Sequence, residues 1–292
     1  MCDELTAEDN ERYAQASGQL NRRQFVAGMV GVSLAMYLPV NANAFGVSES
    51  YVSVKTPDGD ADCYFVHPTN GKHPAVILWP DILGLRPAFE LMGKRLAQCG
   101  YAVLVVNPFY RNQKAPVVGE GASYEDEVTR TAVTTLAKTL SPTTHVTDAN
   151  AFVAFLDKQS AVNTRKKVGV MGYCMSGAIA FRTAAAIPKR IGAVASFHGG
   201  GLVNTTPDSP HLLIPKTKAQ FLIAIALNDD ERDLEAKNVL RKSFADAKIK
   251  AEVEVYEGAL HGWCPLDSRV YNSALAERAW NRLLTLFETA LA

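Results

Sequence analysis
Apolar residues along this chain fall into two alternating periods. Short β-rich runs lie at residues 51–55, 62–66, 75–79, 102–106, 168–171, 193–197, 221–226 and 251–256, and each predicts a strand. Between them, helical patterns cover residues 88–98, 125–140, 146–159, 177–186, 234–247 and 272–289. Several strands are apolar throughout, as in the Ala-Val-Leu-Val-Val of residues 102–106. Strands of that kind belong in a parallel sheet covered on both faces. Strands alternating with long helices read as βαβ units, so the fold class is α/β. The first two strands follow each other directly and predict an antiparallel hairpin at the start of the sheet. No repeat or linker divides residues 45–292, which are expected to form one domain. The longest irregular stretch, residues 111–123, is a candidate flap beside a site.

The first part of the chain follows another pattern. Arg22 and Arg23 precede an apolar run from residue 25 to 38, and Asn41-Ala42-Asn43-Ala44 follows. The run has 14 residues, short of the roughly 20 that span a bilayer. A basic start, a short apolar middle and a small-x-small end form a secretory signal, and the paired arginines followed by Gln-Phe-Val mark the twin-arginine route. Residues 1–44 are therefore expected to be a cleaved leader read by the twin-arginine export machinery, and the mature protein to be periplasmic or secreted. An uncleaved membrane anchor is the weaker alternative on length.

Charge changes the picture little. Thirty basic residues balance thirty acidic ones across 292 residues. The leader holds three arginines and five acids, leaving residues 45–292 at +2. Without a basic excess to displace counterions, a nucleic-acid partner is excluded. With 48% hydrophobic and 21% charged residues the chain is no disordered segment, and five cysteines are too few for a disulfide scaffold.

Chemistry concentrates at strand ends. The strand at 167–171 runs into Gly172-Tyr173-Cys174-Met175-Ser176-Gly177, followed by a helix. A nucleophile between small residues at a strand-to-helix corner is a nucleophile elbow. The turn is tight enough to need small neighbours, and the helix N-terminus presents free N–H groups to a developing oxyanion. Ser176 fails as the nucleophile, because Cys174 and Ala178 would flank it. An acid and a histidine must follow in that order. Asn228-Asp229-Asp230 ends the strand at 221–227, and His261 follows the strand at 251–256. Taken singly, each has a plainer reading: Cys174 as a buried thiol, which the motif already disfavours, His261 as a loop histidine, and Asp229 or Asp230 as a helix cap. Their joint occurrence at strand ends in the required order favours chemistry.

Together these segments resemble the dienelactone hydrolase family (carboxymethylenebutenolidases), a cysteine-nucleophile branch of the α/β-hydrolases. Gly-Tyr-Cys-Met-Ser-Gly at 172–177 is the most specific motif, and the likeness extends over essentially the whole mature chain. The resemblance implies an α/β-hydrolase fold with a mostly parallel sheet and helices on both faces. It implies Cys174 as nucleophile, His261 as general base and Asp229 as the residue that orients it. The backbone N–H groups of Met175 and Ile82 would form the oxyanion hole. Asp81 stands where the family has a glutamate that contacts the resting cysteine. The expected reaction is hydrolysis of a small-molecule lactone or activated ester through a thioester, without cofactor or metal. Better-known members place an arginine four residues after the histidine to grip a substrate carboxylate. Pro265 occupies that position here, leaving Arg86, Arg111 and Arg130 as candidates. Two other functions fit the same residues: a broad periplasmic carboxylesterase, and a non-catalytic binding protein on a decayed hydrolase fold. His198-Gly199-Gly200-Gly201 follows the nucleophile rather than preceding it, so it is expected to be a strand-end turn bordering the pocket. Cys63, Cys99 and Cys264 are expected to be bystander thiols.

Overall fold
The computed structural model describes residues 44–291; the expected leader, apart from Ala44, lies outside the described residues. A single sheet of 8 strands runs in the order β1-β2-β4-β3-β5-β6-β7-β8. The strands are β1 (Val47–Thr56), β2 (Gly59–Pro68), β3 (Ala75–Trp79), β4 (Ala102–Val106), β5 (Val168–Tyr173), β6 (Ile191–Phe197), β7 (Gln220–Ala226) and β8 (Ala251–Tyr256). β1 and β2 form the expected antiparallel hairpin, and β2 joins β4 antiparallel. From β4 onward every pairing is parallel. The helices are α1 (Pro87–Gln98), α2 (Glu127–Ala137), α3 (Pro142–Leu156), α4 (Ser176–Ala186), α5 (Leu227–Arg232), α6 (Ala236–Asp246) and α7 (Ser273–Ala290).

Successive residues of a strand point to opposite faces, and the core divides accordingly. Ile77, Leu104, Val170 and Val194 belong to one buried cluster; Val76, Val103, Met171 and Ala195 belong to the other. Helices cover both clusters, which is why the central strands carry no polar face.

β1 and β2 extend beyond the expected 51–55 and 62–66, and two helices differ from the sequence expectation for local reasons. α3 begins at Pro142 rather than Val146. Ser141 and Thr144 close a capping box there, and Pro142 sits in the first turn, where a missing N–H costs nothing. The six-residue α5 has no apolar stripe, so no helical period marked it in advance.

Aromatic packing fixes the strand ends that carry the site. Trp79, which ends β3, lies edge-on to Phe152 of α3 with ring centroids 5.3 Å apart. Tyr173, which ends β5, stacks on Phe197 of β6 at 4.8 Å and meets Phe89 of α1 edge-on at 5.2 Å. All are buried, and burying one such side chain contributes about 2–3 kcal/mol. The loops that leave these strand ends therefore start from fixed points.

Candidate active site
At the β5–α4 corner Cys174 has φ 54°, a left-handed conformation that costs a non-glycine residue roughly 1–2 kcal/mol. Three backbone bonds hold it there. Cys174 N–H donates to Phe197 O at 3.1 Å, and Cys174 O accepts from Gly177 N–H at 3.1 Å and from Gly200 N–H at 3.2 Å. The small neighbours are required by space. A Cβ on Gly172 would collide with the carbonyl oxygen of Ser176, and one on Gly177 with Ser196 Oγ and the Gly199 backbone. Ser176 departs from the usual second glycine of the elbow for a visible reason. Its buried hydroxyl donates to Pro80 O, tying the corner to the loop after β3.

That loop carries Asp81 and Ile82. Asp81 folds it into an Asx turn, its Oδ1 accepting from Leu83 N–H at 2.9 Å and its carbonyl from Gly84 N–H at 3.0 Å. These bonds use the amides on the far side of Ile82. Ile82 itself lines the cleft beside Cys174. Asp81 also lines this cleft, but both of its oxygens are engaged by Arg86, at 2.6 and 3.0 Å. The partner the structure gives Asp81 is thus the guanidinium that heads α1.

The acid and the histidine come from the β7 and β8 ends. His261 Nδ1 faces Asp229, 3.0 Å from Oδ1 and 2.8 Å from Oδ2. Consecutive residues of a helix point about 100° apart, so Asp229 and Asp230 on α5 cannot both face His261. Asp230 instead pairs with Lys237 of α6 at 2.5 Å. Asn228 was passed over in the sequence and has a part of its own. Its Oδ1 accepts from His261 N–H at 2.9 Å, while Leu227 N–H donates to Ala259 O at 2.8 Å. Both bonds fasten the histidine loop to the end of β7.

Cys174, His261, Asp81, Ile82 and Arg86 line one open cleft, about 540 Å³ when the solvent at its mouth is included. The irregular stretch closes one side of it through Ala122, Ser123 and neighbouring Tyr124 and Glu125. His198 borders the same cleft, buried, with φ 41°. Its ring lies edge-on to His261 at 4.8 Å and to Trp263 at 5.3 Å. Burial, helped by the neighbouring His261, holds its pKa well below the usual histidine value, so it is a neutral ring at physiological pH. Among the described residues Cys63 and Cys264 are buried thiols, and no disulfide joins Cys63, Cys99 and Cys264 to one another. Burial pushes the Cys63 and Cys264 thiols up, away from reactivity.

Each arginine considered as a carboxylate anchor has partners, and only Arg86 of the three expected candidates lines the cleft. Arg86, between Asp81 and Asp267, is buried. Arg111 pairs with Asp58 and Asp148, each at 2.6 Å, and is not part of the cleft lining. Arg130 donates to the backbone oxygens of Tyr124 and Glu125 at 3.4 and 3.2 Å. Arg269, which the sequence did not single out, does line the cleft, and faces Asp126 at 3.4 Å and Glu125 at 3.7 Å.

A mostly parallel sheet with a left-handed residue at a strand-to-helix corner, and an acid and a histidine on later strand ends, defines an α/β-hydrolase. The profile of the dienelactone hydrolase family matches residues 61–291, and the chain belongs to that family. It is an ester or lactone hydrolase. A carboxymethylenebutenolidase of Rhodococcus opacus is 25% identical over 242 residues, covering 81% of this chain and 90% of that protein. Among solved structures, a dienelactone hydrolase-like promiscuous phosphotriesterase from metagenomic libraries superposes with a TM-score of 0.69 at 20% identity, over 84% of this chain and 99% of its own. The dienelactone hydrolase of Anabaena variabilis gives 0.61 at 17% identity, over 84% and 99%. These two structural likenesses concern the fold.

Proposed function
We propose that this hydrolase acts on lactones or activated esters through Cys174, His261 and Asp229, by way of a thioester on Cys174. One observation carries the reading: the elbow cysteine shares a cleft with a histidine whose Nδ1 is gripped by both oxygens of a carboxylate. That grip fixes the ring so that Nε2 is the nitrogen for proton exchange.

The proposed sequence starts from Cys174 in its reduced form: the thiol gives its proton to His261, and the thiolate attacks the carbonyl carbon. The carbonyl π electrons move to oxygen, and the oxyanion is held by the N–H groups of Met175 and Ile82. Met175 precedes the first residue of α4, where amide groups lack intrahelical acceptors and the helix dipole is positive. Collapse breaks the bond to the leaving oxygen, which takes the proton from His261; in a lactone that oxygen stays tethered to the acyl group. Water, deprotonated by His261, then attacks the thioester and expels Cys174 thiolate, releasing the carboxylic acid. Thiolate leaves more readily than an amine, so an amide substrate would mostly revert, which favours lactones and activated esters. Asp81 supports this machinery by shaping the Ile82 loop. Mixing enzyme with an activated ester and quenching with acid within the first turnovers is expected to leave the acyl mass on the Cys174 peptide. An adduct on another residue, or none during turnover, would refute the assignment.

Export and cleavage of residues 1–44 belong to the same reading, supported by the Arg22-Arg23 pair, the short apolar run and Asn41-Ala42-Asn43-Ala44. The periplasmic protein is then expected to begin near Phe45, which the intact mass would show.

A further inference from the structure
We infer that the cleft selects substrates whose acyl part carries no carboxylate, disfavouring the anionic form of an otherwise identical lactone or ester. This rests on the proposed hydrolase site and adds the charge class of its substrate.

The inference follows from how the cations are used. A guanidinium has five N–H donors. In Arg86, Nε donates to Asp267 Oδ2 at 2.6 Å, and Nη1 to Asp81 Oδ1 at 2.6 Å and Gly84 O at 3.2 Å. Nη2 donates to Asp81 Oδ2 and Asp267 Oδ1, each at 3.0 Å. Every donor is occupied, and the group is buried over the Phe89 ring, 4.8 Å from its centroid. A substrate carboxylate could reach Arg86 only by displacing Asp81 or Asp267 and leaving that carboxylate without its partner. Arg269 faces two acids, Glu125 and Asp126, so its surroundings are already negative. The acidic side chains lining the cleft are Asp81, Glu125 and Asp267, against the basic Arg86 and Arg269. His198, neutral through burial, adds no positive charge. Position 265, four residues beyond His261, is proline. Among the described residues, therefore, the cleft presents no cation that is not already matched by carboxylates. A carboxylate on the substrate would meet repulsion in a site that focuses it.

A matched pair tests this: an enol lactone bearing a carboxylate, and the methyl ester of that carboxylate. Binding of both to Cys174→Ala is measured by calorimetry, and kcat/KM for both with the unaltered enzyme at low and high salt. The neutral compound is expected to bind at least about tenfold more tightly, and salt to improve use of the anionic one selectively by screening repulsion. Asp267→Asn, which removes one carboxylate from Arg86, is expected to narrow the gap. Equal or tighter binding of the carboxylate form to Cys174→Ala overturns the inference, as does binding of neither. Preferential binding of the neutral form without turnover by the unaltered enzyme would leave this charge selection standing and remove the cysteine mechanism instead.

Discussion
Replacing Cys174 with alanine is expected to lower kcat/KM for the best lactone or ester by about 10⁴-fold or more, since nucleophile deletions in acyl-transfer enzymes reach that range. The loss should be one of chemistry rather than folding. Alanine and cysteine meet the same penalty at φ 54°, and the three backbone bonds that hold the corner involve no side-chain atom of residue 174. Compared with the reduced enzyme, the variant's thermal midpoint should move little while turnover disappears. Substrate binding should survive, because the amides proposed for the oxyanion hole, those of Met175 and Ile82, belong to the backbone. An unchanged rate in purified Cys174→Ala would remove the nucleophile from the mechanism. Cys174→Ser keeps a nucleophilic atom but needs a stronger base to ionise it, and should fall between the two.

Asp229→Asn is the second large effect, about 10³- to 10⁴-fold in kcat. Both Asp229 oxygens lie within hydrogen-bond reach of His261 Nδ1. An asparagine there can present its NH₂ instead, which favours the tautomer with the proton on Nε2. A ring in that state cannot accept a proton from Cys174. The protein should stay folded, since His261 is also held by its backbone bond to Asn228 and by its contact with His198. Asp230→Asn is the control. Its carboxylate faces Lys237 rather than the histidine, so kcat should fall far less than in Asp229→Asn, any loss being one of stability from the broken buried pair. Equal losses in the two variants would mean that Asp229 acts through the shape of α5 rather than through the histidine ring.

The strands along the chain and the position of the elbow were legible because each depends on local pattern. Apolar runs bounded by turn residues mark strands wherever they pack, and Gly172 and Gly177 are small because the chain itself comes back within contact distance. Other features were only half visible. The capping box at Ser141 and Thr144 is a local signal outside the apolar period, so periodicity alone starts α3 too late. His198 was readable as a strand-end turn, but its contact with His261 comes from β6 and the loop after β8 converging.

By itself the sequence determined the α/β class, the hairpin, and the order Cys174, Asp229 or Asp230, then His261 at the ends of successive strands. Those follow from periodicity and turn chemistry, which act over a few residues. Only the tertiary structure decided that Asp229 rather than Asp230 meets the histidine, that Ser176 reaches Pro80, and that Asp81 is held by Arg86. It also decided that Arg86 is saturated, since one of its two carboxylates lies 181 residues further along the chain. Side-chain pairing over such distances depends on which loops the sheet brings to one edge, and local pattern does not encode it.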